Sequence, residues 1–313
     1  MRLRGKLRCI GFVPRNLTCP RFHIDAETRV ADGTTINGND YLVFYENKDF
    51  NNPSDPGCLV PFALSENGEE MVLSSYTDSN GMLTGYREVE DFGASATNVS
   101  FGRYFKSSTG NFNFVAMDHN TPDSNNTSPK VGPVVINEIM YNPPTGNQKE
   151  EYIELHNITA APYTLYRLEK FTPWKFTDGI DYTFSDSPPV TILPNSYLVL
   201  VKDKAAFTAR YVSVPGDVQV VEGYEGRLSN AGERLQIGMP GDIDEEGTRY
   251  YIRIDRVTYS DGSHPEDCPG GVDLWPTEAD GHGQSLSRKV PSDYGNDVAN
   301  WQASTPSPGT AHP

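Results

Sequence analysis

The fold is decided by two neighbouring stretches of the sequence, Val134-Val-Ile-Asn-Glu-Ile-Met-Tyr141 and Glu151-Tyr-Ile-Glu-Leu-His156. In the second stretch Ile153 and Leu155 alternate with residues that are polar or aromatic. An alternation with a period of two is typical of β-strands that bury one face of a sheet. The two stretches therefore predict strands rather than helices.

Turn-forming residues divide the chain at short intervals. The pairs are Asn80-Gly81, Asp178-Gly179, Asp261-Gly262 and Asp280-Gly281. Short strands between frequent turns indicate an all-β chain, and they favour a β-sandwich of the immunoglobulin type. The Cys, Trp and Cys spacing of antibody domains is absent, so the apolar core alone must hold such a sandwich. One short helix is expected around residues 204–211.

The composition limits the partners. The chain has 313 residues, which at roughly 150 residues per domain predicts about two domains. Lys plus Arg number 26 and Asp plus Glu number 42, so the formal net charge is −16. A surface this acidic repels phosphate backbones, and nucleic acid is not an expected partner. No apolar run approaches the roughly 18 residues of a membrane-spanning helix, so no membrane span is expected.

An internal repeat organises the sequence. Tyr41-Leu-Val-Phe-Tyr45 matches Tyr197-Leu-Val-Leu-Val201, and Leu64-Ser-Glu-Asn-Gly68 matches Leu228-Ser-Asn-Ala-Gly232. The order of the matches is kept while their offset grows, which predicts two copies of one domain with longer loops in the second copy.

Four segments follow from this repeat. We expect an unassigned basic segment at residues 1–21, a truncated sandwich at 22–127, a linker at 128–133 and a complete sandwich at 134–313. The first copy has no counterpart of the opening strands of the second, and its first match is Phe22-His-Ile-Asp25. We therefore expect a tandem pair whose first member is truncated at its N-terminus, within a fragment of a longer protein. The truncated copy would then fold alone, exchange strands between chains, or use residues 1–21 as a substitute strand.

Five segments in order carry a resemblance to a known family. They are Val135-Ile-Asn-Glu-Ile-Met-Tyr-Asn142, Glu151-Tyr-Ile-Glu-Leu-His-Asn157, Leu228-Ser-Asn-Ala-Gly-Glu233, Trp275-Pro-Thr-Glu-Ala-Asp-Gly281 and Thr305-Pro-Ser-Pro-Gly309. This series resembles the lamin tail domain in its bacterial form, and it covers nearly all of the second copy and the latter part of the first. The resemblance implies an immunoglobulin-like sandwich, in agreement with the strand pattern.

The resemblance also implies a function. Lamin tail domains are non-catalytic interaction modules, found in nuclear lamins and, in bacteria, in large exported proteins. We expect a non-enzymatic module of a larger exported bacterial protein, extracellular or at the cell surface, that serves attachment or assembly. Its partners would be a protein or a cell-surface polymer, together with other domains of the parent chain, and no cofactor is expected. The alternatives are a carbohydrate-binding module of an exported enzyme, with or without calcium, and a hydrolase with an unfamiliar site.

Two segments carry residue types that bind metal ions. Asp242, Asp244 and Glu246 resemble the opening of a calcium loop, because carboxylates are the oxygen ligands that calcium prefers. The rest of an EF-hand loop is missing, and an acidic hairpin tip explains the same residues.

The other metal-like segment holds His264, Asp267, Cys268 and His282. Imidazole, thiolate and carboxylate groups bind zinc, and His264, Cys268 and His282 are the zinc candidates. Their spacing matches no established zinc pattern, and the Cys-Pro-Gly-Gly run at Cys268 also suits a tight turn. Cys268 could instead form a disulfide with Cys58.

Catalytic candidates are few. No Gly-x-Ser-x-Gly elbow, Walker loop or dinucleotide fingerprint is present, and no catalytic residue is assigned. The pair Glu154 and His156 shares one side of a strand, which strand alternation would place on the solvent face. The tryptophans Trp174, Trp275 and Trp301 could stack on sugars, but core or edge packing is the favoured explanation of these residues.

Overall fold

A computed structural model describes residues 9–13, 28–30, 34–77, 79, 83–268 and 270–312. The match at 22–25, the turn at 80–81 and most of the basic segment 1–21 lie outside the described residues. The chain divides into two compact units, one of residues 1–104 with 114–128 and one of 105–113 with 129–313. The predicted boundaries of the sandwich copies and the linker stay predictions.

The elements are numbered in chain order. The strands are β1 Cys9–Val13, β2 Gly68–Thr77, β3 Leu83–Gly93, β4 Phe101–Lys106, β5 Asn111–Ala116, β6 Val134–Met140, β7 Tyr152–Asn157, β8 Tyr163–Thr164, β9 Tyr166–Arg167, β10 Thr172–Pro173, β11 Lys175–Asp178, β12 Thr191–Ile192, β13 Tyr197–Val201, β14 Gln219–Glu222, β15 Gly232–Ile243, β16 Arg249–Ser260, β17 Ser285–Arg288 and β18 Trp301–Ser304. The α-helix is α1 Lys204–Arg210, and there is a π-helical turn at Glu46–Phe50. The 3₁₀ turns are Gln148–Glu150, Leu168–Lys170, Pro265–Asp267, Thr277–Ala279 and Val298–Asn300.

The first unit contains a three-stranded antiparallel sheet in the order β1-β2-β3. Its edge strand β1 comes from the segment that the sequence left unassigned. The strands β4 and β5 form a separate two-stranded sheet, of which residues 101–104 and 114–116 belong to this unit. Aromatic rings supply much of the packing, since Phe101 lies 5.5 Å from Phe92 and 6.1 Å from Phe114 between ring centroids.

The second unit is a sandwich of two sheets. The larger sheet has six strands in the order β14-β13-β7-β6-β17-β18, and the smaller has three in the order β11-β15-β16. Between them lies one core, to which the larger sheet contributes Ile136, Leu155 and Leu200 and the smaller contributes Leu235 and Val257, all fully buried. Burying each such side chain contributes about 1.5–3 kcal/mol, so this interface dominates the stability of the unit. The expected all-β, immunoglobulin-like fold is confirmed.

The larger sheet is buried on both faces. On the side away from the sandwich core, Tyr152, Val199 and Val201 pack against Phe207 of α1. The helix begins at Lys204, close to the short helix expected at residues 204–211. It is capped by Asp203, whose Oδ1 accepts a hydrogen bond from the backbone N–H of Ala206 at 2.9 Å. The prediction that Glu154 and His156 lie on the solvent face is therefore wrong, because Glu154 is fully buried and His156 is half-buried.

No helix among the described residues is both long enough and apolar enough to cross a membrane.

Candidate functional site

A cavity of about 310 Å³ opens beside the long loop that follows β16. The loop contributes His264, Asp267, Cys268 and Trp275 to the walls. The other walls come from the second unit as well, including Lys106, Glu233, Tyr259 and Asn296. We call this space the loop cavity.

His264 is surrounded by carboxylates at the edge of the loop cavity. Its Nδ1 lies 3.4 Å from Oε1 of Glu266, and its Nε2 lies 3.6 Å from Oδ2 of Asp261. The pKa of His264 is raised, chiefly by Glu266 and then by Asp261. One ligand atom each from His264, Glu266 and Asp267 lies within 4.8 Å of the other two. These three side chains could hold a metal ion.

Hydrogen bonds fix the shape of this loop. Asp261 Oδ1 accepts from both the N–H and the hydroxyl of Ser263 at 2.8 Å. Asp273 Oδ2 accepts from the Ser260 hydroxyl at 2.5 Å and from the His264 N–H at 3.2 Å. Gly262 has a φ of +85°, and a Cβ there would lie 2.6 Å from the carbonyl oxygen of Trp275. Only glycine fits this turn, so the Asp-Gly pair has the turn role that the sequence predicted.

The structure brings two of the three zinc candidates to one place. His264 and Cys268 line the loop cavity, whereas His282 is exposed and stands outside the group of metal-ligating atoms found among the described residues. Glu266 was missed by the sequence reasoning. Its signal was its position two residues after His264 and directly before Asp267, within the 3₁₀ turn Pro265–Asp267. Whether zinc binds stays a prediction.

The calcium candidates are placed apart. Asp242 forms an ion pair with Lys170, which holds the pKa of its carboxyl below the usual value. Asp244 Oδ1 accepts from the Thr248 N–H at 2.7 Å within its own hairpin turn. Glu246 is exposed, and in the described part of the chain these three do not come together as a ligand group. Calcium binding is still untested.

The cysteine pair is not bonded. Cys58 and Cys268 are free thiols, and the Cys58 Sγ lies 3.3 Å from the carbonyl oxygen of Phe50. Burial, and then the neighbouring Asp273, raise the pKa of the Cys268 thiol. The disulfide between Cys58 and Cys268 stays a prediction.

The tryptophans do not form a shared surface. Trp174 and Trp301 are buried in the sandwich core, as the packing alternative required. Trp275 is half-buried, its ring centroid lies 6.1 Å from that of Trp301, and it lines the loop cavity. Among the three tryptophans, only Trp275 is therefore placed to stack on a sugar.

Two carboxylates face each other inside the second unit, and the sequence reasoning missed them. Glu138 on β6 pairs directly with Glu154 on β7, and both are fully buried. The register of β6 shifts between Ile136 and Glu138, so Asn137 forms a bulge. The bulge changes which residues face the sandwich core, and Ile136 and Ile139 are both core residues although three positions apart. The same change turns Glu138 toward the opposite face.

The C-terminal residues 305–312, which we call the C-terminal strap, cover this pair. The Ser307 N–H donates to Oε1 of Glu138 at 3.1 Å, and the Gly309 N–H donates to Oε2 of Glu154 at 2.6 Å. Burial and the nearby Glu138 raise the pKa of Glu154 to about 8, and burial also raises the pKa of Glu138. The pair therefore holds at least one proton at neutral pH.

Histidines complete this buried polar cluster. His312 of the strap lies 2.9 Å from the Ser307 hydroxyl through Nδ1 and 2.8 Å from the Asn137 side-chain nitrogen through Nε2. The Asn137 amide in turn donates to Oε1 of Glu154 at 2.8 Å. Burial lowers the pKa of His312, and it lowers the pKa of His156 to about 4. Both rings are neutral at neutral pH, so the cluster is held by hydrogen bonds and carries no cationic histidine there.

A small loop between β9 and β10 presents two apolar side chains to solvent. Leu168 is 73% exposed and Phe171 is 82% exposed, and we call the two the apolar knob. Phe171 has a φ of +48°, in the left-handed region that a bulky residue rarely occupies. Beside it lies a depression of about 330 Å³ lined by Tyr163, Tyr166 and other residues.

Comparison with known proteins agrees with part of the resemblance seen in the sequence. A search of curated proteins found no match. No second copy and no link to exported bacterial proteins emerged from these comparisons. Within the second unit and the residues leading into it, the stretch 127–259 matches the sequence model of the Lamin Tail Domain family.

Proposed function

We propose that this chain is a non-catalytic interaction module that docks a partner protein through the apolar knob. The family match at 127–259 supports a module of this kind, since the family is a non-enzymatic immunoglobulin-like domain. The observation that carries the proposal is the exposure of Leu168 and Phe171, side by side on a braced loop. Burying such a pair in a partner would contribute about 1.5–3 kcal/mol per side chain.

Ion pairs brace the loop that carries the knob. Arg167 donates through Nη1 to the carbonyl oxygen of Pro240 at 2.8 Å and pairs through Nε with Glu169 at 2.5 Å. Lys170 pairs with Asp242. These contacts limit the entropy that the loop loses on binding, which favours affinity. They also surround an apolar centre with charge, the arrangement of energetic hot spots in protein interfaces.

The backbone at Phe171 supports the same proposal. A left-handed conformation costs a bulky residue of order 1–3 kcal/mol, and strain of this kind is concentrated at functional sites. Asparagine or glycine would occupy the position with less strain. An exposed phenylalanine there makes no large packing contribution to its own fold, so binding is the better account of its presence.

We further propose the setting in which this docking occurs. The module would belong to a larger exported bacterial protein, extracellular or at the cell surface, and would serve attachment or assembly on a protein or a surface polymer. The bacterial form of the family resemblance and the net charge of −16 support this setting. An acidic surface keeps an exported module soluble and discourages nonspecific association.

A photo-crosslinking amino acid at position 171 tests the docking proposal in cells that produce the protein. Val212 provides the matched control, because it is a lone apolar side chain that is 83% exposed. We expect a discrete crosslinked partner from position 171 and none from position 212. The purified partner should then bind Phe171→Ser at least 30-fold more weakly than the wild type, and Val212→Ser within threefold of it. Equal binding by the two variants would overturn the proposal.

Carbohydrate binding is the second candidate function. Trp275 is half-buried in the wall of the loop cavity beside Asp267 and Asn296, so an aromatic face and polar acceptors line one space. Sugars are commonly held by this combination of an apolar face and a few placed polar groups. This alternative is favoured by the residues that line the loop cavity, and not by a platform of three tryptophans.

A further inference from the structure

We propose that the loop after β16 binds one zinc ion through His264, Glu266 and Asp267, at the edge of the loop cavity. The site does not depend on the docking function proposed above. An imidazole nitrogen and two carboxylate oxygens form a ligand set that zinc accepts, whereas calcium and magnesium prefer oxygen alone. Three protein ligands leave a fourth tetrahedral position for water.

The geometry needs little adjustment to close on an ion. The three ligand atoms lie within 4.8 Å of one another. A triangle with sides of 4.8 Å has its centre about 2.8 Å from each corner, and zinc bonds to nitrogen and oxygen are about 2.0–2.2 Å. Each ligand atom therefore moves by roughly 0.7 Å. Glu266 and Asp267 are exposed, so their side chains can make this movement without repacking the core.

A carboxylate outside the ligand set orients the histidine. Asp261 is nearly buried, and its Oδ2 lies 3.6 Å from Nε2 of His264. The other ring nitrogen, Nδ1, faces Glu266. Metal-binding histidines almost always donate their second ring N–H to a carboxylate, carbonyl or water, which fixes the tautomer that leaves the first nitrogen free to bind. Asp261 lies next to that second ring nitrogen, at ion-pair distance, and is placed for the supporting role.

The charge balance of the loop favours a cation. Between Asp261 and Asp273 the sequence contains four carboxylates and no lysine or arginine. Lys106 also lines the cavity, but its Nζ donates to the carbonyl oxygen of Asn296 at 3.2 Å. A proton on His264 offsets one negative charge, whereas a divalent ion offsets two and displaces that proton.

Cys268 and His282 are outside this ligand set. The Cys268 sulfur lines the cavity but does not lie within the 4.8 Å group, and His282 is exposed elsewhere. Of the three zinc candidates of the sequence, only His264 is therefore a ligand. Glu266 and Asp267 take the places of Cys268 and His282. This change makes the ligand assignment separately testable.

Calorimetric titration with zinc chloride tests the site on the full chain, freed of metal and carrying no polyhistidine tag. We expect one site with micromolar or tighter affinity and a melting temperature that rises with zinc. His264→Gln and Asp267→Asn should each weaken binding at least 30-fold. The matched controls are His282→Gln and His119→Gln, since both residues are exposed histidines and His119 also has a carboxylate neighbour, Asp118.

The outcomes separate the alternatives. Binding by His264→Gln that equals wild-type binding, or a loss shared equally by the control variants, would show adventitious zinc on surface histidines and overturn the site. A loss in Cys268→Ser as large as that in His264→Gln would overturn the three-ligand assignment. Near-ultraviolet circular dichroism of the metal-free variants should match the wild type, because His264 lies in a loop outside the buried core cluster and its side chain is 34% exposed.

Discussion

Replacing Glu154 with glutamine should flatten the dependence of stability on pH above neutrality. The pKa of Glu154 is raised from 4.5 to about 8 by burial and by Glu138. A carboxyl whose pKa is raised in the folded state destabilises the protein as pH rises, because the unfolded chain releases its proton first. The stability that the protonated Glu154 carboxyl contributes is fully present below pH 4.5 and is lost as pH rises toward 8. Each pH unit in that window costs about 1.4 kcal/mol, so the whole shift of 3.5 units costs about 5 kcal/mol.

The titration of His156 opposes this loss of stability below pH 6.5. The pH range in which Glu154 should be measured therefore lies above 6.5. Burial, and then His312, lower the pKa of His156 from 6.5 to about 4. Its stabilising contribution is present above pH 6.5 and is lost as pH falls toward 4. Between pH 4.5 and 6.5 the two slopes partly cancel, whereas between 6.5 and 8 the carboxyl acts without this opposition. Over those 1.5 units the wild type should lose about 2 kcal/mol more than Glu154→Gln.

Urea unfolding followed by tryptophan fluorescence measures this difference. All three tryptophans lie in the second unit, so the signal reports the unit that contains Glu154. The variant keeps an acceptor for the Gly309 N–H, and a half-turn of the Asn137 amide offers its oxygen to the new N–H group. Glu246→Gln is the matched control, since Glu246 is an exposed glutamate of the same unit. Parallel profiles for the wild type and Glu154→Gln from pH 6.5 to 8 would refute the assignment of a buried, protonated carboxyl pair.

Three further predictions concern the second unit. Gly309→Ala should detach the strap and speed hydrogen exchange at the Ser307 amide at least tenfold. The reason is that Gly309 has a φ of +86° and that a Cβ there would lie 2.8 Å from Val218. Unchanged exchange would contradict the strap's role. Asp203→Ala should lower the free energy of unfolding by about 1 kcal/mol through loss of the helix cap, and Asp203→Asn should restore most of it. If carbohydrate binds in the loop cavity, a glycan should quench the fluorescence of the wild type but not of Trp275→Ala, and a panel without effect removes that function.

Local patterns in the sequence were sufficient for the fold class. The alternation at Ile153 and Leu155 correctly places β7 and directs those two side chains into the sandwich core. The Asp178-Gly179 pair correctly marks a turn, because Gly179 has a φ of +89° and a Cβ would lie 2.4 Å from Leu235. Each of these features depends on a few adjacent residues and on the preference of glycine for positive φ. Features that depend on neighbouring residues can therefore be predicted from the sequence.

The loop cavity contains features that could not be predicted from the sequence. The sequence pointed to the segment that holds His264 and Cys268, since residue types that bind zinc stand out by composition. It could not choose Glu266 over His282, because the choice depends on how the chain at the 3₁₀ turn Pro265–Asp267 brings ligand atoms of His264, Glu266 and Asp267 within 4.8 Å of one another. It also could not assign Asp261 its supporting position, which requires the turn at Gly262.

The pairing of Glu138 with Glu154 could not be predicted from the sequence, for a different reason. Alternation tells which residues share a face of a strand, but it does not tell what covers that face. Glu154 lies on the face opposite the core, and water would be its neighbour if that face were open. Instead the strap, 155 to 169 residues further along the chain, brings the N–H groups of Ser307 and Gly309 onto Glu138 and Glu154. A buried carboxyl is tolerated only where donors or a proton compensate the loss of water. At Glu154 the strap supplies a donor, while burial raises the pKa and favours the protonated form.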